Sequence, residues 1–319
     1  MKNSGVLSLL LIWAWSAHAA TGPGVAGSPL LAVPVGARPL ALGTSYVALS
    51  DDSLASLWNP AGLVQMRNPE IGLIYEQAPG GVNFGHLLYG QPVILGQAVG
   101  VALGTLQTGE IDYRDLAGNA QSLAGQSDWV MAAGYGISLA PFLSSPNAES
   151  FSLSAGLTLK YLWTKVGGGL SGQTPTADLG VLALVPFSGG MQPLRLGAGW
   201  RNMGGQVKLG SEADPVASPI HLGVAQTYME SRETWTTATV EGVKLMTRSE
   251  VEIHAGAEQV WKPAGSVGIA LRAGYRFNVD LPGLSGGLGV RWDKFVLDYS
   301  LAQIGELGLI QRMGLRVTM

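Results

Sequence analysis

Past Asn68 the chain falls into short runs in which apolar and polar side chains alternate, separated by clusters of Gly, Pro, Asn and Asp. The cleanest run is Phe151 to Trp163. Phe151, Leu153, Ala155, Leu157, Leu159, Tyr161 and Trp163 share one face, and Ser152, Ser154, Gly156, Thr158 and Lys160 take the other. A period of two is that of a β-strand, whose successive side chains point to opposite faces. The pattern recurs with Val267, Ile269, Leu271, Ala273, Tyr275 and Phe277 against Arg272 and Arg276. It recurs again with Val251, Ile253, Ala255 and Ala257 against Glu250, Glu252, His254 and Glu258. Near the end, Phe295, Leu297, Tyr299 and Leu301 oppose Lys294, Asp298 and Ser300, and Met313, Leu315, Val317 and Met319 oppose Arg312, Arg316 and Thr318. With the weaker runs included, the pattern predicts 14 strands: 68–76, 82–90, 93–106, 127–139, 150–163, 175–185, 194–201, 219–228, 235–245, 249–261, 267–277, 285–292, 294–302 and 309–319.

The stretch before the strands has a different texture. Residues 1–19 read as a cleaved signal peptide. Lys2 is the charged region, Val6 to Trp15 the apolar core, and Ala17-His18-Ala19 a small-x-small cleavage site. Residues 20–67 then read as a separate N-terminal segment centred on Gly36 to Leu63. Asp51 or Asp52 can accept from the free N–H groups of a short helix beginning near Ser53. Leu54, Leu57 and Trp58 fall at i, i+3 and i+4 and give that helix one apolar face. Pro60 stops it, Asn59 suits a side-chain turn bond, and Gly62 can take a positive φ just beyond.

Composition narrows what such strands can form. Of 319 residues 46 are Gly, only 13% are charged, and mean hydropathy is +0.25. A soluble domain carries about 25% charged residues. No apolar span of helix length follows the leader, so the remaining way to satisfy every backbone group in lipid is a closed barrel. The expected fold is therefore all-β: a 14-stranded antiparallel transmembrane β-barrel over residues 68–319 in an outer membrane, with a short N-terminal plug segment and lipid around it. By this count the gaps after the third, fifth and seventh strands hold about 20, 11 and 17 residues and belong outside, while Gly90-Gln91-Pro92 and Asp293 mark tight periplasmic turns. Trp129, Trp163, Trp200, Tyr228, Trp235, Trp261, Trp292 and Phe295 sit at strand ends, where aromatic girdles belong. The carboxy-terminal strand, which the outer-membrane assembly machinery reads, ends in Met319 rather than the usual aromatic residue.

The candidate chemistry is sparse. With no cysteine there is no disulfide or thiolate, and a formal charge of −3 argues against nucleic acid as a partner. His18, His86, His221 and His254 show no ligand spacing, so neither a metal nor another cofactor is expected. Gly22-x-Gly24-x-x-Gly27 and Gly283-x-Ser285-x-Gly287 mimic a dinucleotide loop and a nucleophile elbow, but neither has the strand-to-helix context those motifs require. No enzymatic function is expected. What remains is a set of lumen charges. Glu250, Glu252 and Glu258 oppose Arg272 and Arg276, and Asp298 faces Arg312 and Arg316. With balanced signs these pair to fill a lumen rather than line an open pore.

Gly36-Ala37-Arg38, Ala41-Leu42-Gly43, Ser50-Asp51-Asp52 and Trp58-Asn59-Pro60-Ala61-Gly62-Leu63 together resemble the N-terminal signature of the FadL-like outer-membrane barrels, and within them the PorV/PorQ branch. Ser50 departs from the pattern, where Ala is commoner. The resemblance implies a plug carrying Asp51, Asp52 and the Trp58-to-Gly62 corner inside a 14-stranded barrel. It implies passive entry of hydrophobic small molecules past that plug. The alternative it implies, from the PorV/PorQ side, is a secretion-associated barrel that binds or shuttles exported protein cargo in type IX secretion.

Overall fold

The structure, a computed structural model, describes residues 27–94, 96–114, 118–123, 125–142, 151–167, 169–187, 191–246, 248–263, 267–279, 283–303, 305 and 308–319. The expected leader, 1–19, lies outside them. The strands in chain order are β1 (Glu70–Ala78), β2 (Val82–Ile94), β3 (Gln97–Gln107), β4 (Ile111–Arg114), β5 (Ala120–Leu123), β6 (Ser127–Ser138), β7 (Ser152–Val166), β8 (Leu170–Val185) and β9 (Leu194–Met203). They continue with β10 (Gln206–Leu209), β11 (Glu212–Pro215), β12 (Pro219–Met229), β13 (Thr234–Leu245), β14 (Glu252–Trp261), β15 (Val267–Phe277), β16 (Gly283–Trp292), β17 (Phe295–Gln303) and β18 (Leu309–Thr318). All but β4, β5, β10 and β11 form one closed antiparallel barrel, each strand beside its neighbours in sequence. Closure is made by β1 on β18, in register from Glu70 opposite Thr318 to Gln77 opposite Gln311. The end where β1 begins and β18 finishes is called the lower end.

A closed antiparallel wall leaves no unpaired strand edge, which is the condition for crossing lipid with strands. Its outer face is apolar: Leu73, Leu159, Leu222, Leu271, Leu297 and Met313 all point outward and are exposed. On β7 the outward side chains include Leu157, Leu159 and Trp163, while Ser154, Thr158, Lys160, Leu162 and Thr164 are buried inside. Outer apolar surface without cover belongs in a bilayer, so this is an outer-membrane barrel.

Several boundaries differ from the sequence reading, each for a physical reason. β8 begins at Leu170 rather than 175, so the expected 11-residue loop shrinks to three residues. The strand starts earlier because β7 pairs with it as far as Val166 opposite Leu170. Pro175, the first residue of the predicted strand, is tolerated because β9 pairs with β8 only from Ala177 onward, leaving the first residues of β8 on an edge of the barrel wall. The expected turn at Gly90-Gln91-Pro92 is instead strand, with a register shift between Pro92 and Ile94, and the chain reverses after Ile94. The two long upper connections are not plain loops. They hold the hairpins β4–β5 and β10–β11.

Residues 27–69 run through the lumen. They form α1 (Pro29–Ala32), α2 (Ala37–Ala41), α3 (Ala55–Trp58) and a 3₁₀ turn, Pro60–Gln65. The protein's main core is therefore inside its barrel. Leu42, Tyr46, Leu49, Leu54, Leu57 and Trp58 pack on Ile74, Leu88, Ala102, Ala132 and Ala225 of the wall. Small wall residues make that room. A Cβ on Gly180 would lie 2.1 Å from Asn59 Oδ1. The expected positive φ at Gly62 is not observed: Pro60 ends α3 but starts the 3₁₀ turn, which Gly62 continues. Glycine is required there by close approach instead, since a Cβ would sit 1.9 Å from the Ser50 carbonyl oxygen.

Candidate functional site

The plug descends from the upper end, and what it touches changes from apolar to ionic. At the top Gly27 N–H donates to the Pro215 carbonyl of the β10–β11 hairpin at 2.9 Å. The Ser28 hydroxyl donates to Asp128 at 2.6 Å. Leu30 and Leu31 of α1 are then buried against Phe84, Leu106, Val130 and Leu162 of the wall and Val207 and Val216 of the hairpin region. This is an apolar chamber, and the plug's own leucines fill it.

Below it α2 lies against β15 to β18. Arg312 pairs with Glu76 and donates to the Gly36 carbonyl at 3.1 Å. The expected Asp298–Arg312 pair is absent, because in register Arg312 stands opposite Glu76 on β1 and Ser300 on β17, while Asp298 stands opposite Gly314. The acidic turn that follows is fixed from the wall. Glu241 accepts from the N–H groups of Tyr46 and Val47, at 2.7 and 2.9 Å, and holds His221 Nδ1 at 2.6 Å. Trp58 donates to the Val35 carbonyl at 2.8 Å and lies between the ring of Tyr46 and the Arg201 guanidinium, which is 4.9 Å from its ring. Asn59 donates to Val47 and Val181 carbonyls and accepts from Ala61 N–H, so one amide ties the Asn59-Pro60-Ala61-Gly62 corner to itself, to the plug and to β8.

At the lower end one ionic network joins plug to wall. Arg38 grips Glu258 with two bonds of 3.1 Å and Asp51 with one of 2.6 Å. Arg272 bridges Glu258 at 2.5 Å and Asp298 at 2.7 Å. Arg316 bridges Asp52 at 2.7 Å and Asp298 at 3.1 Å. Tyr46 OH donates to Asp52 at 2.8 Å, and Glu70 accepts from the Ser53 N–H and hydroxyl. Asp52 also accepts from Leu54 N–H at 3.1 Å, the helix-entry bond expected of this turn. Asp51 makes no such bond. Burial pushes its carboxyl up, but Arg38 and Arg195 outweigh burial and hold it at about 2. For Asp52 burial, with Glu70 and Asp51 nearby, outweighs Arg316 and pushes the group up to about 6.

Of the lumen charges singled out in sequence, Glu258, Arg272, Asp298 and Arg316 meet in this network. Glu252 and Arg276 do not. Glu252 lies near the upper end beside His254 at 3.2 Å and Arg248 at 3.6 Å, and His254, not a carboxylate, is Arg276's opposite in register. Glu250 precedes β14 and bonds Ser249 in solvent. Sequence reasoning missed Arg38, Tyr46, Glu70, Glu76, Arg195 and Glu241 as network members. Arg38 stood in the Gly-Ala-Arg motif, and Glu70, Glu76 and Glu241 alternate correctly for the lumen, but nothing local names their partners. Trp235 is another difference. It pairs in register with Val260 and falls on the lumen face with Thr237, Thr239 and Glu241, rather than in the outer girdle.

Two cavities open at the lower end, of about 330 and 540 Å³. Beside Gly36, Glu76 and Arg312 a further void of about 10 Å³ is roughly the space of one water probe. Among the described residues no group of acidic and histidine side chains could hold a metal ion.

No protein-family model and no curated protein matches the chain. Solved structures do. The toluene transporter TbuX of Ralstonia pickettii superposes with a TM-score of 0.56 at 12% identity, over 89% of this chain and 98% of that one. The CymD monoaromatic hydrocarbon channel gives 0.56 at 13%, over 90% and 98%. A FadL homologue of Pseudomonas aeruginosa gives 0.52 at 10%, over 90% and 98%. At such identities the likeness is one of fold: this chain has the architecture of the FadL-type barrels.

Proposed function

We propose that the protein admits hydrophobic small molecules across the outer membrane by a passive route that begins in the apolar chamber at its upper end. The supporting observation is the chamber itself. Here four strands present Phe84, Leu106, Val130 and Leu162 to the interior, whereas the core lower down is filled chiefly by the plug's own large side chains packed on Ile74, Leu88 and wall alanines, with ion pairs below it. What fills it is Leu30 and Leu31 from a four-residue helix, each contributing roughly 1.5–3 kcal/mol by burial. A hydrocarbon of similar apolar surface regains that contribution when it takes their place, so exchange of leucine for solute is close to balanced. The solved structures that share this fold are named for toluene and monoaromatic hydrocarbon transport, which agrees with such a solute. With the long connections outside, as in bacterial barrels generally, the chamber faces the medium and the ionic network faces the periplasm.

Uptake of toluene vapour-equilibrated into proteoliposomes tests the reading. Saturable entry above protein-free vesicles, accelerated by Leu30→Ala/Leu31→Ala, is expected. Entry no faster than in empty vesicles contradicts it. One observation favours the secretion-associated alternative, in which the barrel binds exported protein: the plug is stapled at its lower end by Arg38, Arg272 and Arg316, across the path a solute would leave by. Retention of exported protein by the upper hairpins, with no solute entry, would select that reading.

A further inference from the structure

The 330 Å³ cavity at the lower end has walls of three kinds. Trp235, Val260 and Val296 form an apolar side, the ionic network contributes Asp51, Asp52, Glu70 and Glu258 together with Arg38, Arg272 and Arg316, and Arg291 and Lys262 add two further cations. Arg38, Arg272 and Arg316 are matched by the carboxylates described above. Arg291 and Lys262 have no side-chain partner among the described residues. Arg291 also lines the neighbouring 540 Å³ cavity, so its guanidinium stands at the boundary between the two.

Two features are not explained by filling a lumen. One is the exposed guanidinium of Arg291, which with Lys262 stands beside ion pairs that are closed among themselves. The other is an indole on the lumen face of β13, where the later lumen positions are Thr237, Thr239, Glu241, Val243 and Leu245. A tryptophan left against water forgoes the burial that makes it useful, and its N–H finds no partner among the described residues. A ligand with an apolar ring and a negative head would cover the one and match the other.

We propose that this cavity binds a small amphipathic organic anion of the size and charge of an aryl carboxylate. Its ring lies on Trp235 against Val260 and Val296, and its carboxylate takes the two-pronged bond that a guanidinium offers, from Arg291, with Lys262 beside it. The volume suffices: a cavity of about 150 Å³ already admits benzene. The site is read from its own walls and stands apart from the chamber at the upper end.

The test uses the full mature protein in detergent micelles, with 2-naphthoate as probe and 2-naphthalenemethanol as its neutral counterpart, by titration calorimetry. Naphthoate is expected to bind at least about tenfold more tightly than the alcohol, the worth of one charge-assisted bond. Arg291→Gln should remove that preference while leaving the alcohol unchanged, and Trp235→Ala should weaken both. Equal affinity for acid and alcohol, or a naphthoate affinity untouched by Arg291→Gln, overturns the proposal. Toluene entry by the Arg291→Gln protein is expected to be normal, so the failure of either reading leaves the other separately measurable.

Discussion

Replacing Arg316 by Met tests the plug's attachment, because the two carboxylates it serves are left in different positions. Asp298 keeps Arg272 at 2.7 Å. Asp52 keeps the Tyr46 hydroxyl and the Leu54 N–H, and its nearest remaining cation is Arg38 at 3.8 Å. Removing one partner of a buried pair costs about 3–5 kcal/mol, since the other charge is left uncompensated. That is roughly two to four orders of magnitude in an opening equilibrium. The converse change, Asp52→Asn, leaves Arg316 with Asp298 at 3.1 Å and Glu70 at 3.6 Å. It should cost about 1.5–3 kcal/mol, the loss of one bond to a charged group. Combined, the two changes should cost clearly less than their sum, because the stranded carboxylate is gone. Hydrogen exchange by mass spectrometry on peptides covering residues 46–58 reads this directly, with the barrel strands as an internal reference. Strictly additive effects, or unchanged exchange in Arg316→Met, would refute the reasoning.

Gly62→Ala should prevent the plug from seating, since its Cβ would meet the Ser50 carbonyl at 1.9 Å, whereas Gly109→Ala, with nothing within 4 Å, should be silent; the yield of heat-modifiable barrel compares them. Leu73→Arg on the outer face of β1 should destabilise the barrel by about 2–4 kcal/mol near the bilayer midplane, measured by reversible urea unfolding in lipid vesicles. Asp51, held at about 2 in the folded protein against about 3.9 unfolded, contributes stability that is complete above pH 4 and is lost as pH falls through 2. Wild type should therefore exceed Asp51→Asn in urea stability by a constant margin between pH 5 and 7, and that margin should disappear toward pH 2.

The wall was legible because its signal is local. Each strand carries its own alternation, and the lipid and lumen faces of β7 or β15 follow from side-chain order alone. Where the reading failed, a neighbour decided. β8 starts at Leu170, five residues before the predicted start, because β7 runs on to pair with it there, and Trp235 faces inward because of its phase with Thr237 and Glu241 rather than its position at a strand end. The plug motif announced a turn, a short helix and a stop, and those elements are present. Its roles were less visible. Nothing in the order of residues says that Arg38 reaches Glu258, 220 positions away, or that Arg312 turns to Glu76 instead of Asp298. Such pairs depend on which strands close the barrel and on how deep the plug lies, quantities set by the whole fold. Gly62 shows the same limit: the residue type was informative, but close packing, not backbone freedom, is what requires it.

The central claim is that the lumen is closed by the chain's own plug, with an apolar chamber above and an ionic network below. Single-channel recording of the intact protein in a planar bilayer tests it most directly, with insertion verified by heat-modifiability. A sealed barrel predicts no steady ionic conductance across the range of applied voltage. A stable open-channel current, of the kind a water-filled porin carries, would contradict it.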